Sequence, residues 1–179
     1  MARTYQILIP LLSLFLNRVD LTDLYPLRIP VTLLNTYDGD TLLVKSGSYK
    51  FKVRLSKIDS PEKGQPFLGV KKDAGLVAKQ CFQKLLQKEG RLILKIEKWD
   101  IYGRVLGDLN ELSFKSIQNG CTTLYPYAEF DSKREKFQYL RALKIAKASR
   151  RGLWHYGGFL QPKIWRKLSK RNAVQRSHR

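Results

Sequence analysis

The sequence predicts an α+β domain built on a small closed sheet. Three observations carry that expectation. Short runs rich in β-branched and aliphatic residues, separated by Asp-Gly and Ser-Gly-Ser turns, occupy positions 29–58. Two other stretches, one from Val70 and one from Lys133, space their apolar residues three and four apart, as amphipathic helices do. Finally, 179 residues at 43% hydrophobic suffice for one core, which excludes a chain disordered throughout.

The elements follow in order. Ile29–Tyr37 reads as a first strand, ended by the turn signal Asp38-Gly39. Thr41–Val44 and Phe51–Ile58 read as a second and third strand joined through Ser46-Gly47-Ser48, so the first three strands form a meander. Pro61, Gly64 and Pro66 mark a loop. A helix is expected from Val70 to near Gly90, with Ala74, Val77, Cys81 and Leu85 on its buried stripe and Cys81 as a core thiol. Arg91–Lys98 alternates, with Leu92, Leu94 and Ile96 on one face, and Val105–Leu109 supplies a fifth strand after Tyr102-Gly103-Arg104. A short helix is expected over Ser113–Asn119, stopped by Gly120. A longer one covers Lys133–Arg150, apolar at Phe137, Leu140, Leu143 and Ile145.

The two ends stand apart from this body, which spans 27–160. Residues 1–26 contain the apolar run Ile7–Leu16, too short to cross a bilayer as a helix. It reads either as a packing or membrane-surface element or as an export signal without a small-x-small cleavage site. A secreted or periplasmic location is favoured over a cytoplasmic one. Residues 161–179 carry seven Lys or Arg and no acid, and such a tail is expected to be solvated and to attract nucleic acid without sequence preference. Trp165 within it is expected to dock back on the body.

Charge narrows the function. The chain has 34 Lys or Arg against 15 Asp or Glu, a formal +19, which favours polyanionic partners. Its two cysteines do not suggest a disulfide framework, and with two histidines and no Cys/His cluster a zinc site is not expected. The informative residues are the acids. Four of the fifteen, Asp38, Asp40, Asp59 and Glu62, fall within 38–62. Pairing the second and third strands through Gly47 brings Asp40 near Asp59. Two such carboxylates repel unless a cation or proton intervenes, and an oxygen-only pair suits Ca²⁺ or Mg²⁺. The spacing is not that of an EF-hand. Against this stands the plain reading that Asp-Gly and Asp-Ser-Pro are ordinary turn sequences. Arg54 and Arg104 tip the balance, because arginine forks bind phosphate oxygens bidentately.

Taken together these residues resemble the staphylococcal nuclease (thermonuclease) family. The resemblance runs from about Pro30 to Trp154. It rests on Asp38-Gly39-Asp40-Thr41, Arg54-Leu55 with Ile58-Asp59-Ser60-Pro61-Glu62, Asp100 with Tyr102-Gly103-Arg104, and Arg150-Arg151-Gly152-Leu153-Trp154. It implies an OB-fold barrel of five strands with three helices. It also implies a Ca²⁺-dependent (with Mg²⁺ possible) phosphodiesterase that cleaves DNA and RNA to leave 3′-phosphate ends. Asp40, Asp59 and the Ser60 backbone carbonyl then match the metal ligands, with Ser60 standing where the family usually has Thr. Glu62 matches the residue that activates water, and Arg54 and Arg104 match the phosphate-binding pair. Tyr102, Tyr125 and Tyr127 are candidates to flank the nucleotide. Asp38 has no catalytic match and is expected to cap the turn. Ile101 replaces a family lysine, removing one phosphate contact. A monomer with no obligate protein partner is implied. The competing readings are a non-catalytic nucleic-acid-binding module on the same barrel and a membrane-surface protein, and neither accounts for the complete acid and arginine set.

Overall fold

The computed structural model describes residues 27–177, with side chains through residue 171. The apolar N-terminal segment lies outside the described residues. No helix among the described residues is long and apolar enough to cross a membrane.

Five strands close into a barrel. β1 (Leu27–Thr36), β2 (Thr41–Ser46) and β3 (Tyr49–Leu55) form the expected meander. Two-residue strands β4 (Ile58–Asp59) and β5 (Pro66–Phe67) follow, then β6 (Val70–Asp73), helix α1 (Ala74–Leu86), β7 (Leu92–Trp99) and β8 (Val105–Leu109). Helix α2 (Leu112–Gln118), β9 (Thr123–Leu124), helix α3 (Lys133–Ala148), a 3₁₀ turn (Gly152–Tyr156) and helix α4 (Pro162–Ser177) complete the chain. The barrel order is β1-β2-β3-β8-β7, and it closes because β3 runs parallel to β8 while β7 pairs back onto β1. This is the expected five-stranded α+β barrel, with four helices where three were expected.

Alternation explains the closure. Leu42, Val44, Val53, Leu55, Leu92, Leu94, Ile96, Val105 and Leu109 all point inward and are buried. Phe82 on α1 and Leu112 and Ile117 on α2 extend the same core. Each fully buried large apolar side chain contributes about 1.5–3 kcal/mol, so the inward set dominates the fold's stability.

Four expectations are corrected. Val70–Asp73 is not helical. It pairs with β5 as a small hairpin, and helix α1 begins only at Ala74, where the Asp73 side chain accepts from the Leu76 N–H as an N-cap. The buried stripe of α1 is Ala74, Gly75, Ala78, Phe82 and Leu86, a phase that leaves Cys81 on its flank. There Cys81 forms a disulfide with Cys121, at a Cα–Cα distance of 5.3 Å, so it is not a free core thiol. On α3, Phe137, Leu140 and Ile145 are exposed, and Tyr139, Ala142 and Ala146 face inward instead. Last, 162–177 is a helix, opened by Pro162 at its first position, rather than a solvated coil. Trp165 within it is half-buried.

Candidate active site

The site is built where β2 begins and β3 ends. Pairing sets Thr41 opposite Arg54, and the Leu55 N–H donates to the Asp40 carbonyl (2.9 Å). The chain then turns through Ser56-Lys57 into β4, which carries Asp59. That turn resolves the odd spacing between Arg54 and Asp59, because the two residues lie on different strands.

Asp38 makes the local frame. Its Oδ1 accepts from the backbone N–H of Asp40 (2.9 Å) and of Thr41 (2.7 Å), the turn-capping role expected of it. Burial, with the neighbouring Asp40 carboxylate, pushes the Asp38 pKa up to about 7, against those two backbone donors. Gly39 fits here for want of space, since a Cβ would collide with the Ser60 side chain.

Asp40, Asp59 and Arg54 converge. Arg54 Nη1 lies 2.5 Å from Asp40 Oδ2, and Nη2 donates to Asp59 Oδ1 (3.1 Å). The Ser60 N–H donates to Asp40 Oδ2 (2.6 Å) and the Thr41 hydroxyl to Asp40 Oδ1 (2.9 Å). The Asp59 side chain has no solvent exposure at all, and burial raises its pKa while Arg54 and Arg166 pull it down. Burial also works against the Arg54 charge, but Asp40, Asp59 and Asp38 outweigh it and hold that guanidinium firmly protonated.

Glu62 stands on the following loop, and two features place it. The buried Gln65 side chain accepts from the Glu62 N–H (3.1 Å) and donates to the Leu160 carbonyl (2.6 Å). Gly75 of α1 packs so closely under the Glu62 carbonyl that a Cβ would overlap it. Arg104 immediately precedes β8, the parallel neighbour of β3. Asp100 holds it through Nε and Nη2 (2.7 Å each) and also accepts from the Tyr102 and Arg104 N–H groups. Although partial burial opposes ionisation, those donors from Arg104 and Tyr102 keep the Asp100 carboxyl below its ordinary range.

Asp40, Arg54, Glu62, Arg104, Tyr102 and Tyr125 line a cavity of about 710 Å³, whereas Asp59 and Ser60 are buried behind its lining. Tyr127 is not in its lining. It is exposed, stacked edge-on against Tyr125 and in contact with Lys163.

The remaining wall comes from α4. Lys163, Arg166, Lys167 and Lys170 all line the cavity. Arg166 Nη1 donates to Glu62 Oε1 (2.7 Å), and its two Nη groups reach both oxygens of Asp59 (3.1–3.2 Å). In the sequence Arg166 stands only as one of the tail charges. Pro162 was the one available signal that a helix starts there. Gln65 and Asp100 were likewise given no role.

The donor set suits a hard divalent cation. Asp40 and Asp59 offer only oxygens, both turned toward one point, and two guanidinium groups already supply positive charge there. Among the described residues no three His, Cys, Asp or Glu side chains converge as a complete metal cage. Of the two carboxylates Asp40 lines the open cavity, and Asp59 is fully buried behind Arg54 and Arg166.

A closed five-stranded barrel carrying paired carboxylates and arginine forks on one rim defines a phosphodiester-handling enzyme class. The family model of staphylococcal nuclease homologues matches residues 52–156. An uncharacterized endonuclease of Haemophilus influenzae is 32% identical over 143 residues, covering 76% of this chain and 72% of that protein. A micrococcal nuclease of Shigella flexneri is 30% identical over 146 residues, covering 74% and 78%. A probable staphylococcal-like nuclease of Oryza sativa is 28% identical over 140 residues, covering 76% of this chain but 37% of the longer plant protein. The chain belongs to the staphylococcal nuclease family, an enzyme family that hydrolyses phosphodiester bonds.

Proposed function

We propose that this nuclease is metal-dependent, that it uses Ca²⁺ (with Mg²⁺ as the second option), and that it cleaves DNA and RNA with little regard for sequence or sugar. The observation that carries the reading is Arg54 bridging Asp40 and Asp59, with Asp40, Arg54, Glu62 and Arg104 lining one cavity.

A phosphodiester is an anion, so hydroxide attack on it is opposed by charge. Arg54 and Arg104 neutralise the phosphate and stabilise the extra charge of the pentavalent transition state. Each is pre-aimed: Arg54 by two aspartates, Arg104 by Asp100. Asp40, Asp59 and the Ser60 carbonyl would hold the divalent ion. When bound, such an ion polarises a phosphate oxygen and lowers the pKa of water. Glu62 accepts the proton of the attacking water, on a loop fixed by Gln65 and Gly75. Family resemblance gives 3′-phosphate products. Tyr102 is 77% exposed at the cavity mouth and Tyr125 lines the cavity, positions suited to base stacking without sequence preference. Tyr127 supports that wall from outside through Tyr125 and Lys163.

We also propose that the protein works in an oxidising compartment, secreted or periplasmic. The Cys81–Cys121 disulfide supports this, since such bridges persist mainly outside the reducing cytosol.

The deciding experiment incubates the full chain with plasmid, single-stranded DNA and RNA, in chelator and then with Ca²⁺ or Mg²⁺ restored. Cleavage is expected only with metal, and cleavage that persists in chelator overturns the metal reading. No cleavage under any condition leaves a nucleic-acid-binding module.

A further inference from the structure

We propose that Arg166 is a resident counter-cation of the site: it occupies Asp59 and Glu62 while no divalent ion is bound, and it must release them before one can enter. This inference rests on the metal-dependent reading above and adds a residue that lies outside the family's matched region.

The geometry makes the two occupants exclusive. Asp59 Oδ1 receives Arg54 Nη2 and both Nη groups of Arg166, and Oδ2 receives Arg166 Nη2. A carboxylate oxygen has about two lone-pair directions, so Oδ1 is already saturated by guanidinium donors. Asp59 has no exposure through which an ion could approach from elsewhere. Calcium–oxygen bonds of about 2.3–2.6 Å would require the ion to lie inside the space these nitrogens take. Glu62 is committed to the same guanidinium at 2.7 Å, so the group assigned to activate water is tied up as well.

Of the two guanidinium groups on Asp59, Arg166 is the one that can leave. Arg54 is rooted in a barrel strand hydrogen-bonded on both sides, and its side chain is 13% exposed. Arg166 sits on the last helix, 37% exposed at the end of a long stem. The acid-free sequence 161–179 offers it no alternative carboxylate on its own helix.

It does have another partner in reach. Lys163, Lys167 and Lys170 line the same cavity as Arg54 and Arg104, so a nucleic-acid phosphate drawn there meets the freed fork. Arg166 thus exchanges a carboxylate for a phosphate as the site fills. Linkage then requires that metal and substrate each raise the affinity for the other, because each removes a contact that opposes it.

The test is calorimetric titration of Ca²⁺ into the metal-free full chain, without substrate, for wild type, R166Q, R166K and K167Q. K167Q deletes the same charge from the same cavity without touching a carboxylate. R166Q is expected to bind Ca²⁺ about tenfold tighter than wild type, the low end for one hydrogen bond to a charged group, with K167Q within about twofold of wild type. R166K should fall between wild type and R166Q, keeping the charge but not the fork. In the same samples R166Q should melt earlier than wild type without metal and recover the difference when Ca²⁺ is added, since Glu62 and the Asp59 Oδ2 left without Arg166 then find a cation. Equal or weaker Ca²⁺ binding by R166Q overturns the proposal. So does a K167Q gain matching that of R166Q, which would reduce the effect to general charge. If neither wild type nor R166Q binds Ca²⁺ or Mg²⁺ while folded, the metal reading itself fails and takes this inference with it, a result distinct from both binding equally.

Discussion

Arg54 and Lys57 lie on either side of the end of β3, and each is buried between two carboxylates. Arg54 bridges Asp40 and Asp59; Lys57 pairs with Glu135 (2.9 Å) and Glu97 (3.6 Å). Both face cavities of similar size, about 710 and 560 Å³. The linings differ in sign. The Arg54 cavity has six cations (Arg54, Arg104, Lys163, Arg166, Lys167, Lys170) against three acids (Asp40, Glu62, Asp100). The Lys57 cavity has three cations (Arg28, Lys57, Lys95) against five acids (Glu97, Asp108, Glu111, Asp131, Glu135). A buried ion pair therefore does not mark a functional site by itself. What separates the two is the excess charge around the pair, and the Arg54 cavity carries the positive sign that favours a polyanion.

The largest effect should separate these two cations. Arg54→Lys keeps a positive charge but loses the fork, and cleavage should fall by about 10²–10³, with the fold intact. Lys57→Met should do the reverse. Removing one partner of a buried pair costs about 3–5 kcal/mol, so melting temperature drops while activity per folded molecule stays near wild type. Nuclease assays and thermal melts on both variants check this. If Lys57→Met abolishes cleavage in folded protein, the two cavities are not functionally distinct.

The disulfide gives the next largest effect. It links α1 to the segment after α2, on the flank of the barrel rather than at the site. Its loop spans 40 residues, for which cross-linking contributes about 2–4 kcal/mol. Cys121→Ser should lower stability by that amount in denaturant titrations and leave turnover unchanged at temperatures where the variant is folded. Thiol titration of the unfolded, unreduced wild type should find no free sulfhydryl.

The same contrast explains what the sequence could reveal. Asp40 and Arg54 were legible because one hairpin turn at Gly47 fixes their register, and Asp59 because it follows Arg54 by only one short turn; both are short-range properties. Barrel alternation was legible for the same reason: Leu92, Leu94 and Ile96 are two apart in the chain and on one face. Arg166 was not, because it meets Asp59 across 107 residues and its helix leaves Ile164 and Leu168 exposed, with Trp165 as a lone docking signal that says nothing of the arginine beside it. Its attachment depends on charge pairs and on Gln65 gripping the Leu160 carbonyl, neither of which has a periodic signature. Cys81–Cys121 was lost to an error of phase. Reading the α1 stripe through Val77 and Cys81, rather than Ala78 and Phe82, put the thiol in the core and hid its partner.

The smallest effect distinguishes the cavities by pH. Asp108 borders the Lys57 cavity, and its Oδ1 accepts from the N–H groups of Leu109 (2.9 Å) and Ser113 (3.0 Å). Burial pushes its pKa from 3.8 up to about 6, outweighing those donors and the attraction of Lys57. A group whose folded-state pKa is raised binds its proton more tightly when folded. Its stabilising contribution is therefore complete below the unfolded value and disappears as pH rises through the folded one. Wild-type stability should decline from this group by up to about 1.4 kcal/mol per pH unit between the two values, then level off. Asp108→Asn retains an oxygen for both backbone donors but has no proton to lose. Urea titrations from pH 4 to pH 8 should show the wild-type advantage over Asp108→Asn shrinking with pH, whereas parallel curves would mean that Asp108 is ionised throughout and that Lys57 serves it as a full counter-charge.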